Sequence, residues 1–115
     1  MNQRPKILVV DDLATNRLAI RMALRGIDAT IVEASNGFDA LSIAIDEEFA
    51  LILLDVQMPE MDGFEVCERL AVNPQTAETP VIFVTAAHNA NEDRLHGYLR
   101  GATDYLSKPI NDQIL

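Results

Sequence analysis

Three short, nearly continuous apolar runs divide the chain, and each stops at a polar residue. Ile7-Leu8-Val9-Val10 ends at Asp11-Asp12, Leu51-Ile52-Leu53-Leu54 ends at Asp55, and Val81-Ile82-Phe83-Val84 ends at Thr85. Runs of this length are too short for helices and read as buried strands. Thr30 to Ala34 alternates more than the other runs and reads as an edge strand, and Asp104 to Leu106 is a short fifth strand leading to Lys108-Pro109. Helical spacing fills the gaps. A first helix is predicted over Thr15 to Arg25 with Gly26 as its C-cap. Asn36-Gly37 reads as a turn. The next helix carries Phe38, Leu41 and Ile45 inward, with Asp39, Ser42 and Asp46 outward. A third helix covers Gly63 to Ala71 with Phe64, Cys67 and Leu70 facing in, and Pro74 and Pro80 bracket a polar loop. A fourth helix covers Ala90 to Arg100, opened by Asn89 and Glu92 and weakened by Gly97 in its interior.

Apolar strands without alternation belong to a sheet covered on both faces, hence a parallel one. Strict β-α alternation then gives an α/β fold, a doubly wound five-stranded parallel sheet with right-handed crossovers. Five strands favour the order 2-1-3-4-5, the flavodoxin-like arrangement. In that order strands one and three are neighbours at the topological switch point, and ligands bind beyond the carboxyl ends of the strands there. Asp11, Asp12 and Asp55 fall at those ends, and Thr85 and Lys108 at the ends of strands four and five. Ile110 and Ile114 suggest the first turn of a fifth helix. One turn is unstable alone, so the fifth helix is expected to be truncated here and the protein to be longer.

Composition narrows the function. At 115 residues the chain is one domain with a single sizeable core. Its net charge of -9 disfavours direct contact with nucleic acid and with anionic membranes. No apolar run spans a bilayer, and nothing at the N-terminus reads as a secretory leader. The single cysteine, Cys67, is read as a core residue and fits a reducing, cytoplasmic setting. His88 and His96 have neither metal-ligand spacing nor a triad partner and read as solvated.

Three crowded carboxylates repel one another, and a cation relieves the repulsion. Mg²⁺ suits an all-oxygen site that uses one or two carboxylates and retained waters, and Mn²⁺ is an acceptable substitute. A carboxylate beside such an ion can accept a phosphoryl group. Lys108 offers a point charge and Thr85 a hydroxyl to phosphoryl oxygens, and backbone N–H groups past strands three and four can bind the remainder.

The ordered set Asp11-Asp12, then Asp55 with Met58-Pro59-Glu60-Met61-Asp62-Gly63, then Thr85-Ala86, then Lys108-Pro109 resembles a response-regulator receiver domain of two-component signalling, of the chemotaxis-regulator type. The resemblance covers residues 1–115. It implies that Asp55 is the phosphoacceptor, assisted by Thr85 and Lys108. It implies Mg²⁺ bound by Asp11, Asp12, Asp55 and the Gln57 carbonyl, and phosphoryl oxygens bound by the backbone at Gln57 and Ala86. Thr85 and Tyr105 would form the switch pair, and Lys108-Pro109 the family's cis peptide. The implied partners are a histidine kinase or histidine phosphotransfer protein and a downstream output domain, with a phosphorylation-dependent homodimer as one active form. The signal would leave by the helix 4–strand 5–helix 5 face. The module assists only its own phosphorylation and dephosphorylation and is not a turnover enzyme. Ala87, two past the threonine, cannot orient a water, which implies slow self-dephosphorylation.

Three other readings fit parts of the pattern. A magnesium-dependent aspartyl-nucleophile phosphatase usually has a second Asp two residues on, where this chain has Gln57. A phosphorylation-independent scaffold would not need the full polar set. A nucleotide-binding domain would need a Gly-rich loop after strand one. Helix one poses a separate question. Arg17, Arg21 and Arg25 form one basic stripe, and Leu18, Ala19, Ile20, Met22, Ala23 and Leu24 fill the rest of its circumference. Packing accounts for part of that arc, and docking of the phosphodonor is the alternative for the remainder.

Overall fold

The computed structural model describes residues 4–86 and 104–108, the last two of the first stretch and all of the second by their backbone only. The elements are β1 (Lys6–Val10), α1 (Ala14–Ala23), β2 (Thr30–Ala34), α2 (Gly37–Asp46), β3 (Leu51–Asp55), α3 (Gly63–Val72), β4 (Val81–Ala86) and β5 (Asp104–Lys108). Four strands lie parallel in the order β2-β1-β3-β4, and the backbone of β5 pairs along the far side of β4. The expected fourth helix, Ala87, His88, His96, Pro109 and the Ile110/Ile114 turn lie outside the described residues.

Side chains alternate across a strand, so each apolar run feeds two cores. Leu8, Val10, Ile52, Leu54 and Phe83 face α2 and α3, where they meet Ala40, Ala44, Val66, Cys67 and Leu70. Ile7, Val9, Leu53 and Val84 face the other way, against Ile20 and Leu24 at the end of α1. The parallel, doubly covered sheet follows from that burial. The Phe64 ring sits edge-on to Phe83 at 5.1 Å. Thr30 and Glu33 are exposed on β2, as an edge strand requires.

Three local expectations change. Asn36-Gly37 is a helix start rather than a turn. Asn36 is extended, its Oδ1 accepts from the Asp39 N–H at 2.8 Å, and its Nδ2 donates to Asp39 Oδ2 at 3.1 Å. The cap satisfies one orphan N–H of the first turn, and the side chain-to-side chain bond holds Asn36 in place for it. The inward face of α2 is Gly37, Ala40 and Ala44, while Phe38 and Ile45 are exposed. Close approach decides it: a Cβ on Gly37 would lie 2.8 Å from a Val66 methyl. Finally, α1 ends at Ala23, and Gly26 does not adopt a left-handed cap; the Leu24 N–H bonds back to the Ile20 carbonyl instead.

α3 matches expectation closely. Asp62 caps it by accepting from the Glu65 N–H at 2.9 Å, and Glu65 pairs with Arg69 one turn on at 2.9 Å. Between β3 and α3 the chain makes a strained turn. The Met61 N–H donates to the Pro59 carbonyl at 2.8 Å across Glu60, whose φ is 71°. A three-residue turn with a positive central φ is rare for a residue bearing a Cβ. Glu60→Gly should therefore stabilise the fold by about 0.5–1 kcal/mol, the steric relief exceeding the extra chain entropy of glycine. A urea midpoint that falls in the variant would contradict this.

Candidate functional site

Strand register builds the site. Val10 pairs with Leu54 and Asp55 with Val84, so β1 and β3 end within one residue of each other and β4 runs two residues further at the same edge. Asp11 follows immediately on β1, and Asp55 is the last residue of β3. One carboxylate oxygen from each of Asp11, Asp12 and Asp55 lies within 4.8 Å of the others. Asp11 is fully buried, Asp55 is 5% exposed and Asp12 is half-buried. Carboxylates at the dry end of a sheet need hydrogen bonds or a cation to offset lost hydration.

Hard oxygen donors at this spacing suit a small divalent cation, and Asp11, Asp12 and Asp55 are the residues that could hold one. Gln57 is exposed on the loop just past Asp55, beside an open depression of about 490 Å³ lined by Val56, Gln57, Met58, Pro59, Asp62 and Phe64. Thr85 directly follows the residue paired with Asp55, and Ala86 pairs with Lys108 across β4 and β5. Register thus carries Thr85, Ala86 and Lys108 to the same edge of the sheet. Tyr105 pairs with Phe83, two positions deeper.

Asp11 is tied down from several directions. Its N–H donates to the Ala34 carbonyl of β2 at 3.2 Å, and its Oδ1 accepts from the Leu13 N–H at 3.0 Å and from Asn16 Nδ2 at 3.3 Å. Its carbonyl accepts from Arg17 Nη1 at 2.7 Å. Leu13, the N-cap of α1, has no side-chain cap of its own. Asn16 and Arg17 escape a reading of the sequence, because neither stands in a chemical motif and their partners lie five and six residues away. Helical spacing from the Asp pair was the available signal.

Gly63 stands in the sequence motif, but its packing role shows only in the structure. The first turn of α3 presses on the end of β3, the Gly63 N–H donating to the Val56 carbonyl at 2.8 Å. A Cβ there would stand 2.1 Å from the Asp55 carbonyl oxygen.

The basic stripe of α1 is largely engaged. Glu33 Oε1 accepts from Arg17 Nε at 2.8 Å and its Oε2 from Arg21 Nε at 2.9 Å, while Arg25 donates to the Met22 carbonyl at 2.7 Å. The Arg21 hydrogen bond above all, with that of Arg17, holds the Glu33 carboxyl below the usual carboxylate range despite partial burial. A depressed folded pKa contributes stability above the unfolded value and loses it as pH falls through the folded one. Acid unfolding should therefore steepen below pH about 4.3, and Glu33→Gln should flatten that limb. The clamp is solvent-screened, so the effect is at most about 1 kcal/mol. Identical acid limbs for the two proteins would show that the clamp does not contribute. Of the apolar arc, Ile20 and Leu24 are core residues, whereas Leu18 and Met22 are more than half exposed. Ile20 is therefore a packing residue and not part of a docking face.

The sequence pattern of the response regulator receiver domain family matches residues 7–115. The chain belongs to this family. Receiver domains of two-component response regulators are signalling modules whose general function is that of a phosphorylation switch. This receiver domain is 41% identical over 110 residues to the response regulator PleD of Caulobacter vibrioides, covering 96% of this chain and 24% of PleD. It thus spans about a quarter of the length of that relative. The chemotaxis protein CheY4 of Vibrio cholerae superposes with a TM-score of 0.88 at 32% identity, covering 96% of this chain and 92% of CheY4. A structure of the Mn²⁺-bound form of the response regulator Rcp1 superposes with a TM-score of 0.82 at 28% identity, covering 96% and 86% of the two chains. Among the described residues, no helix of this receiver domain is long and apolar enough to cross a membrane.

Proposed function

We propose that this receiver domain takes a phosphoryl group onto Asp55 from the phosphohistidine of a kinase or phosphotransfer protein and switches conformation in response. The observation that carries the reading is the gathering of Asp11, Asp12 and Asp55 within 4.8 Å at the carboxyl ends of β1 and β3. A carboxylate oxygen of Asp55 attacks phosphorus and forms the O–P bond. The histidine N–P bond breaks, and its electron pair stays on the imidazole. Asp11, Asp12, Asp55 and the Gln57 carbonyl hold Mg²⁺, which when bound neutralises charge on the phosphoryl oxygens. The Mn²⁺ in the Rcp1 structure supports a divalent cation in this family. Lys108 and Thr85, at the ends of neighbouring strands, meet the remaining oxygens, with the backbone at Gln57 and Ala86. Thr85 and Tyr105 are the proposed switch pair, passing the change to the face around β5.

Leu18 and Met22, exposed on α1, the helix that follows the Asp11-Asp12 pair, suit docking of the phosphodonor. PleD extends well beyond its matched part, which supports an output module as what the switch drives. The test is incubation with acetyl phosphate and Mg²⁺ followed by intact mass and peptide mapping. One phosphoryl mass on the peptide that holds Asp55 is expected. Release of phosphate in catalytic turnover, with no labelled protein, would favour the phosphatase reading instead.

A further inference from the structure

We infer that Arg17 is a positioning residue for the metal-binding pocket, fixing the Asp11-Asp12 backbone against the edge strand; this rests on the proposal that the pocket binds Mg²⁺. The Arg17 side chain joins the acidic turn to β2. Its Nη1 donates to the Asp11 carbonyl at 2.7 Å while its Nε donates to Glu33 at 2.8 Å, and the side chain is only 17% exposed. Glu33 is held in turn by Arg21 at 2.9 Å. Asp11 thereby receives support from both sides of its peptide: its N–H rests on Ala34 of β2, and its carbonyl rests on an arginine anchored to Glu33 of the same strand. The turn that presents Asp11 and Asp12 is consequently pinned before any ion arrives. Partners that orient ligands in this way typically change metal affinity by roughly 10–100-fold when removed.

The sign of the effect separates positioning from charge. Arg17 carries a positive charge near a cation site. Removing it would tighten a divalent ion if Coulomb repulsion were its only influence. Positioning requires the opposite. Arg21 supplies the control, because it bonds the same Glu33 but donates to the Ile31 carbonyl rather than to Asp11.

The experiment is Mg²⁺ titration of the full chain, read by calorimetry and by the amide shifts of Asp12 and Leu13, since the protein has no tryptophan. Arg17→Gln should weaken Mg²⁺ by about tenfold, the lower end of the range for such partners. Arg17→Lys keeps the charge but cannot span both acceptors, and should remain weakened. Arg21→Gln should lose a similar amount of thermal stability yet bind Mg²⁺ as the parent does. Affinity in Arg17→Gln equal to or above the parent, or an equal loss in Arg21→Gln, overturns the assignment. A parent protein that takes up no Mg²⁺ overturns it together with the proposed function, whereas the variant comparison bears on Arg17 alone.

Discussion

Asp55→Asn should take up no phosphoryl group from acetyl phosphate while melting within about 5 °C of the parent in Mg²⁺-free buffer. The two side chains have the same shape, so a site that is 5% exposed need not repack. An amide, however, has no anionic oxygen to attack phosphorus, and nucleophilic catalysis ends with it. The substitution also removes one of three negative charges gathered within 4.8 Å, which offsets hydrogen bonding lost at the carboxylate. Intact mass after labelling and a thermal melt check both halves. Labelling that persists in the variant would move the phosphoacceptor elsewhere, and a collapse of the melt would make Asp55 a structural residue first.

Gly63→Ala should be the most damaging single-methyl change in the described fold, costing about 3 kcal/mol. The added carbon would meet the Asp55 carbonyl oxygen at 2.1 Å and the Val56 Cα at 3.0 Å. Both are backbone, so no side chain can swing away. Relief requires α3 to back off from the sheet, which would break the bond from the Gly63 N–H to the Val56 carbonyl and loosen Val66, Cys67 and Leu70 in the core. Because the clash falls on the peptide of Asp55, the proposed phosphoacceptor, folded Gly63→Ala should also label more slowly. Urea denaturation and the labelling rate are the two readouts. A loss below about 1 kcal/mol would show that the approach is softer than it looks.

The strands were legible because burial on both faces forces uninterrupted apolar runs, and the acids that end those runs stood out against them. The acidic cluster was legible through topology: once β1 and β3 are neighbours, Asp11, Asp12 and Asp55 must meet. What stayed hidden depends on distance rather than composition. Phe38 and Ile45 look like the inward face of α2, but the small residues Gly37, Ala40 and Ala44 win it by allowing the helix to approach Val66 and Met61. The Asn36-Gly37 pair has turn chemistry and cap chemistry alike, and only the Asp39 partner decides between them. Arg17 reads as one of three arginines on a stripe, and what sets it apart, a bond to the Asp11 carbonyl together with one to Glu33 of β2, depends on where the chain brings those acceptors. Glu60 occupies a position suited to glycine with nothing in its neighbours to announce it.

The close seat of Gly63 on Asp55 has a mechanical consequence. The pocket has two braced walls: α3 is set against the peptide of Asp55, and the acidic turn is fastened to the edge strand. A new group on Asp55 can push neither wall without breaking backbone contacts. Both flanks of the acidic cluster are therefore held through contacts to its main chain, and its geometry is set by the fold itself.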